Sequence, residues 1–245
     1  SSSSSSSPSP SSSSSAPSAP ATAAPGSAAP TGGPGTTGTS GSTPGAGPAL
    51  SAGATITAAD KQAVVDTYAA GVSSSYDAAV AGAEALLADL KAFTANPTPA
   101  GLEGVKQQWL AARDAYGVTE AFRFYDGPID APETGPEGQI NAWPMDEAYV
   151  DSVQDDPEAG IINDTKGVPE ITRDVIVSAN EDGGETNIST GWHAIEFLLW
   201  GQDFSETGPG ERPATDYTTA PNADRRGQYL TEVTDLLVDD LTGVA

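Results

Sequence analysis

Between Trp192 and Trp200 a single imidazole and a single carboxylate, His193 and Glu196, interrupt an otherwise apolar run. Polar and apolar residues do not alternate at period two, so the stretch reads as helix rather than strand. At about 100° per residue, Ser189, His193, Glu196 and Trp200 fall on one narrow stripe, while Trp192, Ile195, Phe197, Leu198 and Leu199 cover most of the remaining circumference. A helix apolar on nearly every side cannot lie on a surface. It has to be wrapped by other elements, and His193 and Glu196 are then expected to be buried with it. Buried ionisable groups must be paired, hydrogen-bonded or bound to a metal. Side chains three residues apart on a helix approach to about 5–6 Å at Cβ. The two can therefore reach one ion together, as Glu-x-x-His pairs do in di-iron bundles, here in reverse order. A structural hydrogen bond between them is the equal alternative.

The wrapping elements are legible as helices. A first helix is expected from Thr57 or Ala58 to about Ala95, through Val64, Val65, Tyr68, Val72, Tyr76, Val80, Leu86, Leu87, Leu90 and Phe93, with Gly71, Ser73–Ser75 and Gly82 favouring a kink. Asn96-Pro97 stops it. Thr98 reads as the N-cap of a second helix, with Pro99 at its first position and Leu102, Val105, Trp109, Leu110, Ala112 and Tyr116 along it as far as Phe122 or Phe124. Residues 126–165 are rich in Pro, Gly and acids and are expected to wrap the bundle, with a short helix from Pro144 to Val150. A further helix is expected over 169–179, a turn over 180–185, and a last amphipathic helix from about Ala223 through Leu241. No convincing strand appears, so the fold class is an all-α helical bundle.

Charge divides the chain. The first charged side chain is Asp60, and the stretch before it is built almost wholly of Ser, Pro, Ala, Gly and Thr. It holds too little apolar surface to offset chain entropy, so residues 1–56 are expected to be a disordered tether and residues 57–245 the folded domain. All of the net charge of −24 falls on that domain. Such an acid excess argues against nucleic acid and anionic membrane surfaces, which need Lys and Arg to neutralise phosphate, and suits a soluble surface, attraction of cations or a salty habitat. The chain has no cysteine, hence no thiolate nucleophile and no sulfur metal site. The Ser/Pro/Gly run resembles the spacer behind the lipidated cysteine of a bacterial lipoprotein, so a lipid anchor ahead of residue 1 is the expected membrane attachment.

Gly191-Trp192-His193-Ala194-Ile195-Glu196-Phe197-Leu198-Leu199-Trp200-Gly201-Gln202-Asp203 resembles the GxHxxE signature of the imelysin family. Two further segments are similar to the same family. Trp109-Leu110-Ala111-Ala112-Arg113-Asp114-Ala115-Tyr116 followed by Glu120-Ala121-Phe122-Arg123-Phe124 matches its W-x-x-A-R-x-x-Y-x-x-x-E-x-F pattern, and Trp143-Pro144-Met145-Asp146 its W-P-x-D element. The resemblance, which runs from about Ile56 to the end, implies the first half of a two-bundle fold, with a second bundle following the segment Asp224–Leu230. It implies metal ligation by His193, Glu196, Glu120 and Asp146, supported by Arg113, Trp143 and Gly191. Such a set suits a divalent or ferric ion and does not distinguish Fe, Zn, Mn and Ca. Gly117 departs from the family's iron-uptake members, which place a further acid there. Each residue has a plainer reading too: Arg113 and Glu120 as an interior salt bridge, Asp146 as the cap of the short helix, Trp192 and Trp200 as core. Arg225 and Arg226 are expected to anchor the last helix to acids of its neighbours.

The family consists of bacterial envelope proteins, many linked to iron uptake and once classed as metallopeptidases. The resemblance therefore implies an exported, metal-binding protein of the cell envelope, with a metal ion and an iron-transport membrane component as partners. A zincin needs His-Glu-x-x-His, and one histidine cannot build it. Binding is accordingly favoured over hydrolysis, with a metallopeptidase as one alternative and a metal-free structural surface module as another.

Overall fold

The computed structural model describes residues 55–245, which form one compact unit. The tether expected over residues 1–56 lies, except for its last two residues, outside the described residues. Helix α1 runs Ala58–Ala95 and α2 Pro99–Gly117, continued by a 3-10 turn over Val118–Phe122. Short helices α3 (Glu137–Ile140), α4 (Glu147–Val150) and α5 (Arg173–Ala179) punctuate the long connection. Helix α6 (Gly191–Trp200), a 3-10 turn over Ala214–Tyr217 and α7 (Ala223–Val244) complete the chain. Among the described residues the only extended pairing is the isolated bridge between Val153 and Asp156, so the fold is all-α.

The ends of the long helices follow local chemistry. Thr57 Oγ1 accepts the Asp60 amide at 3.2 Å while the Asp60 carboxylate accepts the Thr57 amide at 2.8 Å, a reciprocal cap that starts α1. Thr98 Oγ1 accepts the Gly101 amide at 3.0 Å, and Pro99 costs α2 no hydrogen bond because a first-turn N–H has no partner inside the helix. In α1 the buried side chains are Tyr76, Ala79, Ala83, Leu86, Leu90 and Phe93, spaced alternately three and four, which is one stripe on a 3.6-residue helix. That stripe meets both α2 and α7. Gly82 lets the helices close in, because a Cβ there would lie 3.1 Å from Ala112 Cα.

The remaining expectations are met unevenly. Helix α1 is continuous through Gly71 and Gly82, and its first half lies outside the core: Val64, Val65 and Tyr68 are exposed, and burial begins at Tyr76. Periodicity records which face is apolar, not whether a partner reaches it. Helix α5 begins at Arg173, capped by Thr172, four residues after Pro169. Helix α3 and the 3-10 turn over 214–217 carry too few residues for a periodic signal.

Helix α6 is the wrapped element. Trp192, Ala194, Ile195, Phe197, Leu198 and Leu199 are all buried, with α2 and α3 on one side and α7 on the other. Trp109 of α2 meets both Trp192 and Trp200 edge-on, at 6.1 and 5.2 Å between centroids. Tyr217 donates to the Leu198 carbonyl at 2.6 Å and Tyr229 to the Ser189 carbonyl at 2.7 Å, satisfying backbone groups at both ends of α6 away from water.

Candidate functional site

Helix α6 starts at a backbone position that only glycine fills. Gly191 has φ +74°, and a Cβ there would lie 2.2 Å from the Ile140 carbonyl oxygen of α3. Two residues later, His193 leaves the core side. Its Nδ1 lies 3.0 Å from Glu196 Oε2. An ionised carboxylate only accepts, so in this contact the imidazole donates through Nδ1. The side chains of His193 and Glu196 are 20% and 45% exposed, so the burial expected for them does not occur. The stripe of His193, Glu196 and Trp200 lines a cleft of about 400 Å³, with Trp200 also packed on Trp109 of α2.

The cleft is aromatic on its walls and acidic around its polar positions. Trp109, Trp143, Phe197 and Trp200 line it together with Met145, and Glu147, Glu196 and Asp203 contribute carboxylates. Trp143 lines it while remaining 72% exposed, and the segment that follows is held by the hydrogen bond from the Asp146 amide to the Thr186 carbonyl at 2.7 Å. In the sequence Glu147 and Asp203 stand only beside recognisable phrases: Glu147 follows Trp143–Asp146, and Asp203 closes the signature stretch.

Of the four proposed ligands, the structure brings together His193 and Glu196. Glu120 accepts a hydrogen bond from Asn141 at 3.2 Å and pairs with Arg113 at 3.6 Å, while Arg113 also donates to Asn141 at 3.0 Å. The Arg113 guanidinium lies over Tyr116 and Trp192, 5.0 and 5.9 Å from their centroids, so its place is against the aromatic core. Asp146 caps α4, accepting the Ala148 amide at 3.1 Å, and its side chain faces solvent. Among the described residues no group of three or more His, Asp or Glu side chains is placed to hold one ion. Among the described residues, then, no complete protein-only coordination sphere is assembled. The residues present offer an imidazole nitrogen, its carboxylate partner and two further acids on the same cleft.

The strap that carries Asp203 and Gly210 past the end of α6 is tied down by a buried charge cluster. Arg212 donates its amide to the Trp200 carbonyl at 2.8 Å, and its guanidinium lies 5.3 Å from the Phe197 centroid. Its Nη1 donates to Asp151 at 2.9 Å, and Arg226 clasps the same carboxylate through Nε at 2.6 Å and Nη2 at 2.8 Å. Burial pushes the Asp151 carboxyl up, but the Arg226 hydrogen bonds and the charges of Arg212 and Arg226 overcome it and hold Asp151 below the usual carboxylate range. Arg226 thus meets an acid, as expected, whereas Arg225 donates to the carbonyls of Ile161, Ile162, Val168 and Pro169. A planar five-donor group can close several loop carbonyls at once, which no carboxylate pairing would do.

Fold and site together define an all-helical protein with one imidazole at the mouth of an acidic, aromatic-walled cleft. The profile of the imelysin family, described as Imelysin and bearing a peptidase name, matches residues 72–245. The chain belongs to the imelysin family. It is also 32% identical over 126 residues to "Iron-regulated protein A" of Synechococcus elongatus, a match covering 51% of this chain and 28% of that protein. The matched part is thus less than a third of the relative's length. No helix among the described residues is long and apolar enough to cross a membrane.

Proposed function

We propose that this chain is a cation-handling module of an exported, envelope-associated protein serving iron uptake, and that the His193–Glu196 turn is where the cargo ion is engaged. The observation that carries this is the pair itself. With Nδ1 held by Glu196 at 3.0 Å, the neutral imidazole would ligate through Nε2, and the cleft that His193 lines also bears Glu147 and Asp203. A carboxylate holding the far side of a ligating imidazole fixes its tautomer and raises its basicity. Glu196 in this reading orients His193 as much as it ligates.

Cargo and a resident metal make different demands. An ion kept for catalysis or structure needs a closed or nearly closed protein shell, and the described donors do not supply one. An ion passed onward can keep water or a small chelator in its remaining positions, and an open acidic cleft suits that use. The net charge of −24 draws cations towards the surface from a distance. The relative's name, which says that it is iron-regulated, supports iron as the cargo.

Titration calorimetry of the full chain with ferric, zinc and manganese ions checks this. Saturable binding near one ion per chain is expected at neutral pH. His193→Ala should abolish it, and Glu196→Ala should weaken it by about 10- to 100-fold, the usual effect of losing a ligand's carboxylate partner. Both variants should keep their helical circular dichroism. Binding unchanged in His193→Ala, or no saturable heat with any of these ions, rules the reading out.

A further inference from the structure

A second cavity, of about 370 Å³, lies between the first turns of α2 and the 3-10 turn over 214–217, and it shares no lining residue with the cleft. Lys106 and Arg212 both line it. Lys106 is only 9% exposed. Its ammonium has three N–H donors, yet no described carboxylate, carbonyl or hydroxyl accepts from it. Its close neighbour is the ring of Trp200, 5.6 Å from Nζ to centroid, which favours the charge but offers no oxygen. The other basic side chains that are not fully exposed are satisfied differently. Arg113, Arg123, Arg173 and Arg226 meet carboxylates, and Arg225 meets carbonyls.

Arg212 adds a second positive charge to the lining. Its Nη1 is committed to Asp151 and Asp216, but its Nε is buried without a hydrogen-bond partner. Two cations facing one cavity repel each other. Burial first, and Arg212 as well, push the Lys106 amine below its usual range, against Glu103 and Glu211, which push it up. The cavity also sits at the positive end of the α2 dipole, beside Pro99 and Leu102. Glu103 is the opposing feature: it lines the same cavity, although Gln107 donates to its carboxylate at 2.9 Å.

We propose that this cavity binds a small oxyanion, a carboxylate or an inorganic phosphate, with Lys106 Nζ as its principal donor and Arg212 as the second positive charge. The oxyanion supplies the acceptors that Lys106 lacks and relieves the repulsion between the two cations. Calorimetric titration of the full chain with inorganic phosphate, and separately with acetate, tests it and distinguishes the two sources. Saturable one-site binding of at least one of them is expected. Lys106→Met should weaken it about tenfold or more, the worth of a lost charge-assisted hydrogen bond. Glu103→Gln should strengthen it, and His193→Ala should leave it unchanged, which separates this cavity from the cation cleft. If Lys106→Met does not fold, Lys106→Gln and Glu103→Gln decide: affinity equal to wild type in both overturns the proposal. It is equally overturned if neither anion binds saturably, or if sodium chloride at matched ionic strength reproduces the heat.

Discussion

At the residue scale, two positions decide whether the cleft exists at all. Gly191 combines a positive φ with a backbone carbonyl where a side chain would go, so relief by a small shift is not open to it. Gly191→Ala is expected to cost about 1–3 kcal/mol from the backbone conformation alone, with the contact to Ile140 added. Urea unfolding checks the loss, and weakened metal binding in the same variant would tie it to the position of His193. Asp151 is the second. Asp151→Asn leaves Arg212 and Arg226 sharing a neutral partner in the interior, and a loss of about 3–5 kcal/mol is expected, as for other broken buried pairs. The native chain should show the same dependence through pH. A carboxyl held below its ordinary value contributes stability that is present above the unfolded value of about 4 and is lost as pH falls through the lower folded one. Stability should therefore hold at pH 5 and fall away below about pH 4. An acid unfolding curve that is the same in Asp151→Asn would contradict this assignment.

At the scale of elements, α1 is two helices in energetic terms although it is one in geometry. Leu86 and Leu90 are fully buried between α2 and α7, whereas Val64, Val65 and Tyr68 project beyond the bundle, with Tyr68 only edge-on to Phe122 at 5.6 Å. Leu86→Ala should cost about 2–5 kcal/mol and Tyr68→Ala about 1 kcal/mol or less. Hydrogen exchange should follow the same division, fast over residues 58–72 and slow from Tyr76 onward. Uniform protection along α1 would mean that the first half is covered in solution. Helix α6 shows the opposite relation, because a run this apolar has nowhere to go but the middle. His193 and Glu196, which line the cleft, are the exception.

At the scale of the whole molecule, the acid excess is carried by a single domain that has very few cations left over for screening. Its surface charges repel one another across distances that salt shortens to about 10 Å at 0.1 M. The melting temperature should therefore rise as sodium chloride increases from low salt, and a flat or falling curve would show that the repulsion is unimportant for this fold. The buried Asp151 cluster should respond little to the same salt, because solvent ions do not reach it.

The division between what was legible and what was not follows from how far each signal reaches along the chain. Helix type, ends and the central place of α6 are written in neighbouring residues: the Thr57 and Thr98 caps, the three-and-four spacing from Tyr76 to Phe93, and the unbroken apolar run from Trp192 to Trp200. The His193–Glu196 contact belongs to the same class, since one helical turn brings the pair together wherever the helix lies. Glu120 and Asp146 are separated from His193 by loops whose paths depend on Arg225 closing four carbonyls and on Arg212 and Arg226 sharing Asp151. Local spacing carries no record of such contacts. The amino-acid order by itself therefore determined the helices and the pair. The tertiary structure alone decided that the pair opens on a cleft with Glu147 and Asp203, because Glu147 arrives from a segment far away in the chain and the strap bearing Asp203 is held by Arg212 through Trp200 and the distant Asp151.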